Sequence, residues 1–235
     1  MLYLVPTPLG NLEDVTARSL RVLREVKAVY CEDTRRTRGL LTHFAIHTPA
    51  LRYDERDARG IGRILERLRS GEDLALVSDS GLPVISDPGL RLVAAARREG
   101  LAVTALPGPT AAAAAVAGSG LPGDSFVFLG FLPRGPGKRR RLLEEAAGLE
   151  RTVVLYESPF RIAGLLELVV AALGPGTPVA LVRELSKLHE EWLCASAAEA
   201  LASLRGRREI LGEFVVVLRP QGALPAGAAA PGEDE

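Results

Sequence analysis

Apolar residues recur along the chain with two periods. Residues 2–5, Ala28–Cys31, 74–77 and 101–106 are short apolar runs that stop at turn-forming residues, and they read as buried strands. Residues 12–26, 61–68 and Leu90–Arg98 space their apolar side chains helically, as in Val15, Leu20, Leu23 and Val26. Asn11 precedes the first helix as a predicted N-cap, with Glu13 and Asp14 in its first turn, where the helix dipole favours acids. Strands alternating with helices predict parallel βαβ units in a layered α/β domain. An Ala-rich helix over 110–117 then meets Gly118-Ser119-Gly120-Leu121-Pro122-Gly123, strong turn chemistry that predicts a domain boundary. The N-terminal α/β domain is therefore expected over 1–117 and a second α/β domain over 118–220. The second half reads as strand (Phe126–Phe131), helix (139–147), strand (152–156), helix (161–173), strand (179–185), short strand (191–194), helix (197–204) and strand (Phe214–Leu218). Residues 221–235 are Ala, Gly, Pro and acid and are expected to be disordered.

Composition adds limits. With 47% hydrophobic and 25% charged residues, the 235-residue chain can bury a sizeable core without metal or disulfide staples. It contains no apolar run of about 18 residues, so no membrane span is expected. Met1-Leu2-Tyr3-Leu4-Val5 meets Pro6 at once and reads as a strand rather than a signal peptide. Cys31 and Cys194 sit in apolar runs and are expected to be buried free thiols of a reducing, cytoplasmic compartment; neither has metal-ligand spacing.

The formal net charge is zero, which argues against a dedicated nucleic-acid-binding module but leaves room for a local basic patch. Residues 134–141 supply one: Arg134, Lys138, Arg139, Arg140 and Arg141 put five positive charges in eight residues. Cations at a predicted helix N-terminus oppose the dipole, and an anionic partner such as an RNA backbone gives them a reason. Arg205, Arg207 and Arg208 form a weaker cluster.

Each N-terminal strand runs into a Gly, Pro or acid loop. These are Pro6-Thr7-Pro8-Leu9-Gly10-Asn11, Glu32-Asp33-Thr34-Arg35, Ser78-Asp79-Ser80-Gly81-Leu82-Pro83 with Ser86-Asp87-Pro88-Gly89, and Pro107-Gly108-Pro109-Thr110. Open α/β sheets bind ligands outside the carboxyl ends of their strands, so four such loops predict a ligand cleft. Other text matches fail on context. Gly118-x-Gly120-x-x-Gly123 follows a helix and contains Pro122, Gly135-Pro136-Gly137-Lys138 lacks the rest of a Walker loop, and His189-Glu190-Glu191 lacks a second histidine. His43 and His47 have no acids in register and read as surface or packing residues.

Several of these strings together resemble the bacterial ribosomal RNA small subunit methyltransferase I family. They are Leu4-Val5-Pro6-Thr7-Pro8-Leu9-Gly10-Asn11-Leu12, Glu32-Asp33-Thr34-Arg35, Ser78-Asp79-x-Gly81-x-Pro83-x-Ile85-Ser86-Asp87-Pro88-Gly89, Leu106-Pro107-Gly108-Pro109-Thr110-Ala111, Gly130-Phe131-Leu132-Pro133, Tyr156-Glu157-Ser158-Pro159-x-Arg161 and Arg183-Glu184-Leu185-Ser186-Lys187. They run in order from Leu2 to about Leu218. The chain departs at Ser80, Leu82 and Ser186, where the family commonly shows Ala, Thr and Thr; Leu82 takes a hydroxyl out of a loop expected to touch the cofactor.

The resemblance implies a two-domain, tetrapyrrole-methylase-like α/β fold with a mainly parallel N-terminal sheet and a mixed C-terminal sheet. It implies S-adenosyl-L-methionine bound between the domains, a homodimer, no metal, and 2′-O-methylation of a decoding-centre cytidine, expected at position 1402, in 16S rRNA of the small ribosomal subunit. The cofactor residues expected on it are Pro8, Gly10, Ser78, Asp79, Ser80, Gly81, Ile85, Gly108, Thr110, Ala111 and Tyr156, with Gly81 and Gly108 allowing close approach. Arg35, Arg134, Lys138, Arg139, Arg140, Arg141 and Arg161 are expected on RNA. A general base is sought among Glu32, Asp33, Glu184 and Lys187, the lysine qualifying if burial beside other cations depresses its pKa and otherwise forming an ordinary ion pair with Glu184 or Glu190. Two rivals stay open: a small tetrapyrrole-like acceptor, and a non-catalytic ribosome-assembly protein.

Overall fold

The computed structural model describes residues 1–220, so the segment expected to be disordered lies outside the described residues. The chain forms two compact units, Met1–Thr110 and the part beginning at Ala111.

The first unit contains β1 (Leu2–Leu4), α1 (Ala17–Glu25), β2 (Ala28–Cys31), α2 (Thr34–His43), β3 (Ala50–Arg52), α3 (Ala58–Arg69), β4 (Leu74–Leu76), α4 (Leu90–Arg98) and β5 (Val103–Ala105). All pairings are parallel, in the order β3-β2-β4-β1-β5. Crossovers from β1 and β2 step one way across the sheet and those from β3 and β4 step the other. Right-handed connections then send α1 and α2 to one face and α3 and α4 to the opposite face. The core follows. Leu2, Leu4, Leu74 and Leu76 pack with Ile64, Leu65, Leu68 and Leu92 of α3 and α4. Val5, Val29, Ala75 and Val77 point the other way, to Val22, Leu23 and Leu41 of α1 and α2. Both faces are covered, which is why these strands read as continuous apolar runs.

Three local expectations change here. Asn11 caps only a 3-10 turn, Leu12–Asp14, accepting from Glu13 N–H at 3.1 Å. The helix begins later, at Ala17, because Thr16 Oγ1 takes the Ser19 N–H at 3.0 Å. Helix α2 and strand β3 lie where the sequence showed only a loop: α2 is arginine-rich and buries only Thr37 and Leu41, too narrow a stripe to stand out, and β3 is three residues long.

The second unit contains α5 (Ala111–Gly118), β6 (Phe126–Phe131), α6 (Pro136–Ala147), β7 (Thr152–Glu157), α7 (Ile162–Leu173), β8 (Pro178–Arg183), β9 (Glu191–Ser196), α8 (Ala197–Arg205) and β10 (Phe214–Leu218). The sheet order is β6-β7-β10-β8-β9; β6 and β7 are parallel and every other pair is antiparallel. Alternate side chains divide the core. Val153, Leu155, Leu181 and Val216 meet α6, α7 and α8 through Leu143, Ile162, Leu166 and Leu204. Val154, Ala180, Val182 and Val217 meet Ala112, Ala115 and Val116 of α5. That packing places α5 in the second unit, so the division falls at Thr110/Ala111 instead of after residue 117. Gly118 lets α5 lie close: a Cβ there would stand 2.5 Å from the Trp192 indole. Cys31 is buried as expected, but Cys194 is exposed, because β9 is an edge strand with a neighbour on one side only.

Candidate active site

In the first sheet β4 and β1 are neighbours whose crossovers leave to opposite faces, which makes their carboxyl ends the switch point where open α/β sheets take ligands. The loops there are knotted together. Thr7 N–H donates to Gly81 O at 2.9 Å and Gly81 N–H to Thr7 O at 3.0 Å. Thr7 Oγ1 donates to Ser78 O at 3.1 Å and Ser78 Oγ to Gly81 O at 2.9 Å. Gly81 has φ +79°, and a Cβ on it would lie 3.1 Å from Leu9 Cδ2 and 3.5 Å from Pro109 O. At Gly108 a Cβ would fall 2.4 Å from Pro6 Cγ. The two glycines therefore make room for the chain's own loops at this edge.

The expected cofactor residues of this unit are gathered on that edge by the loops after β1, β4 and β5. Pro8, Ser78 and Gly81 are buried, Gly108 and Thr110 half-buried, and Gly10, Asp79, Ser80 and Ile85 exposed. Val84 and Ser86 hold φ of +77° and +61°, a strained stretch for residues with side chains. It is anchored by Glu55, which accepts from Gly89 N–H at 2.7 Å and Arg91 N–H at 2.9 Å.

Acids converge here. Burial, then the charges of Asp79, Asp54 and Glu55, raise the Glu32 carboxyl. Burial, then the charges of Glu32 and Asp79, push Asp87 up to about 6. Asp87 stood in a quoted loop without a role; what its position adds is the company of acids from other strands. Its folded pKa exceeds the unfolded value, so its contribution to stability is present below pH 3.8 and is lost as pH rises toward about 6. Asp87→Asn is expected to raise stability near neutral pH and to flatten the decline between those limits. Urea melts at both ends of the window check this, and an equal gain at acid and neutral pH would contradict it.

Asp33, one of the candidate bases, caps α2, accepting from Arg35 N–H at 2.8 Å, and that bond holds its carboxyl below the usual range. Arg35 is exposed beside it, and Arg36, missed in the sequence, pairs with Asp79 at 3.4 Å.

The second sheet has its own loaded edge. The register puts Phe131 beside Tyr156, Glu157 beside Phe214, and Phe214 beside Arg183, so the loops after β6, β7 and β8 leave from one side. Tyr156 accepts from Ala112 N–H at 3.2 Å, next to Ala111. Lys187 Nζ donates to Glu184 Oε1 at 2.9 Å and Glu213 Oε2 at 3.0 Å. Burial by itself would lower the Lys187 pKa, but these two carboxylates outweigh it and the net shift is upward. Burial would likewise raise Glu184, and the Glu213 N–H and Lys187 hydrogen bonds bring it below the usual range. That direction, with the two carboxylates in contact, favours a charged donor at Lys187 over a neutral base. Lys187→Arg should accordingly retain most turnover, measured as methyl incorporation; abolished turnover with intact folding would restore the neutral lysine.

The basic run is split. Arg134 and Lys138 are exposed and have no acidic partner among the described residues. Arg140 and Arg141 pair one turn on with Glu144 and Glu145. Arg139 turns inward to Glu157 at 3.6 Å, and Arg161 reaches the same carboxylate at 3.3 Å while donating to Leu132 O at 2.8 Å. In the weaker cluster, Arg205 pairs with Glu167 and Arg207 with Glu191. No group of three potential ligands could hold a metal ion among the described residues, and none of their helices is long and apolar enough to cross a membrane.

A parallel sheet with a ligand edge at its switch point, joined to a mixed five-stranded sheet, is the architecture of the tetrapyrrole (corrin/porphyrin) methylases, whose family model matches residues 1–201. Among solved structures, diphthine synthase superposes with a TM-score of 0.71 at 17% identity, covering 93% of this chain and 89% of that one. Uroporphyrin-III-C-methyltransferase from Thermus thermophilus gives 0.63 at 24% identity, covering 92% and 93%. Sequence similarity is higher with ribosomal RNA small subunit methyltransferase I of Halalkalibacterium halodurans, 45% identical over 94% of this chain and 76% of that protein. The protein of the same name from Thermotoga maritima is 45% identical over 92% and 97%. The chain belongs to the ribosomal RNA small subunit methyltransferase I family, within the tetrapyrrole methylases, and is a methyltransferase.

Proposed function

We propose that this enzyme transfers the methyl group of S-adenosylmethionine to the 2′-hydroxyl of a cytidine ribose, the decoding-centre cytidine 1402, in 16S rRNA of the small ribosomal subunit. One observation carries the reading: relatives named for ribosomal RNA align over more than nine-tenths of the chain, so both the switch-point loops and the cationic second edge lie inside the similarity. The fold alone would not choose an acceptor. A cytoplasmic location and a homodimer accompany the proposal; a light-scattering mass of a single 25.0 kDa chain would count against the dimer.

The residues at the switch point suit the donor. The acidic surroundings that raise the Asp87 and Glu32 carboxyls also favour a cation, and the donor is a sulfonium. Ser78–Gly81, Ile85, Pro8, Gly10 and residues 108–110 would hold it in the first unit's loops. Bound there, it supplies an already activated methyl group. The chain's part is then mostly position, which can remove about 7–11 kcal/mol of barrier. The ribose hydroxyl must lose a proton, and Glu184 or Glu32 is the carboxylate proposed to accept it, ahead of Asp33, whose hydrogen bond to Arg35 N–H lowers its basicity. Charged Lys187 holds Glu184 in place. Arg134, Lys138, Arg140 and Arg141 would meet phosphates, with Arg35 a further contact, and Arg139 and Arg161 would support the loops from within.

The test is methyl incorporation from labelled S-adenosylmethionine into small ribosomal subunits, with the ribose position read by resistance to alkaline cleavage. Label on a base, or on a small molecule only, would overturn the acceptor. No turnover with any acceptor, despite RNA binding, would favour an assembly protein.

A further inference from the structure

Phe160 follows β7 in the loop Ser158-Pro159-Phe160-Arg161 and is 94% exposed. The exposure does not come from a loose backbone. Arg161 N–H and Ile162 N–H both donate to Ser158 O at 3.1 Å, and Ser158 N–H donates to Glu157 Oε1 at 2.9 Å. The Arg161 side chain ties this loop to the one after β6 through Leu132 O. Phe131, by comparison, is 58% exposed and rests edge-on against Tyr156 at 5.5 Å. Among the described residues Phe160 has no ring partner.

Its surroundings select an occupant. The loop to which Arg161 is tied leads to Arg134 and Lys138, exposed cations without acidic partners among the described residues. An apolar protein surface covering Phe160 would have to desolvate them. A nucleic acid brings phosphates for the cations and a flat base for the ring, and single-stranded RNA is commonly read by stacking unpaired bases on aromatic side chains. In the sheet, β8 lies two strand positions from β7, roughly 10 Å away, so the Glu184–Lys187 pair at its end is within a few nucleotides' reach.

We propose that Phe160 stacks an unpaired RNA base beside the cationic loop after β6 and so positions the acceptor strand along this edge of the second sheet. The inference rests on the ribosomal RNA reading above. Its test is fluorescence-anisotropy binding of a short single-stranded RNA of mixed sequence across a salt series. Phe160→Ala is expected to weaken binding about five- to hundredfold. The slope of log affinity against log salt should stay unchanged, because no phosphate contact is lost. Phe160→Trp should restore affinity, and S-adenosylhomocysteine binding and light-scattering mass should match wild type. Wild-type RNA affinity in Phe160→Ala overturns the stack while leaving the RNA reading standing. A fall in affinity accompanied by a change of mass overturns it in favour of a contact with a second copy. Failure of the wild-type enzyme itself to bind RNA removes the RNA reading and the stack together.

Discussion

Glu157→Ala is expected to destabilise the second unit by about 3–5 kcal/mol, the cost of leaving buried charge without its partner. The carboxylate is 1% exposed at the end of β7. It faces Arg139 at 3.6 Å and Arg161 at 3.3 Å, and it accepts from Ser158 N–H at 2.9 Å. Arg139 and Arg161 are themselves largely withdrawn from water, so neither guanidinium can simply swing out when the acid is removed. Glu157→Gln keeps the shape and one acceptor and should fall between wild type and alanine. Trp192, the only tryptophan, sits on β9 of the same unit, so urea unfolding followed by its fluorescence reports the effect directly. A loss below about 1 kcal/mol, the range of an exposed pair, would show that this cluster is not structural. The same geometry makes Arg139→Ala a stability variant first, unlike substitutions of Arg134 and Lys138.

Gly81→Val is expected to reduce methyl transfer by about a hundredfold or more, through displacement of the loops that should position the donor. A branched side chain at φ +79° carries backbone strain of roughly 1–3 kcal/mol, and its Cβ would meet Leu9 at 3.1 Å. Relief of either strain moves the segment whose N–H and C=O are exchanged with Thr7, and with it Ser78 and Ser80. Gly71→Val is the control: φ is +89° there, but a Cβ would meet nothing within 4 Å, so it has backbone strain away from the switch point. Calorimetry with S-adenosylhomocysteine should show binding lost in Gly81→Val and kept in Gly71→Val. Full affinity in a folded Gly81→Val enzyme would detach the cofactor from this edge.

The sequence alone was enough for much of the architecture, because burial on both faces of a parallel sheet requires continuous apolar runs such as 74–77, and amphipathic helices such as Ala58–Arg69 need a periodic stripe. Its ordered Gly, Pro and acid strings likewise sufficed for the family. It could not show α2, whose apolar stripe is too narrow, nor that α5 packs on the second sheet, since an alanine helix has no distinctive face. The roles of charged residues depended most on the tertiary structure. The Lys187–Glu184 pair, three residues apart, could be read in the sequence, but Glu213 as its second partner could not, and Arg139 looks in sequence like any free cation until the fold brings Glu157 against it and makes it half of a buried pair. Coulomb interactions and desolvation act over a few ångströms between residues tens of positions apart, distances that periodicity does not encode and the folded sheet sets.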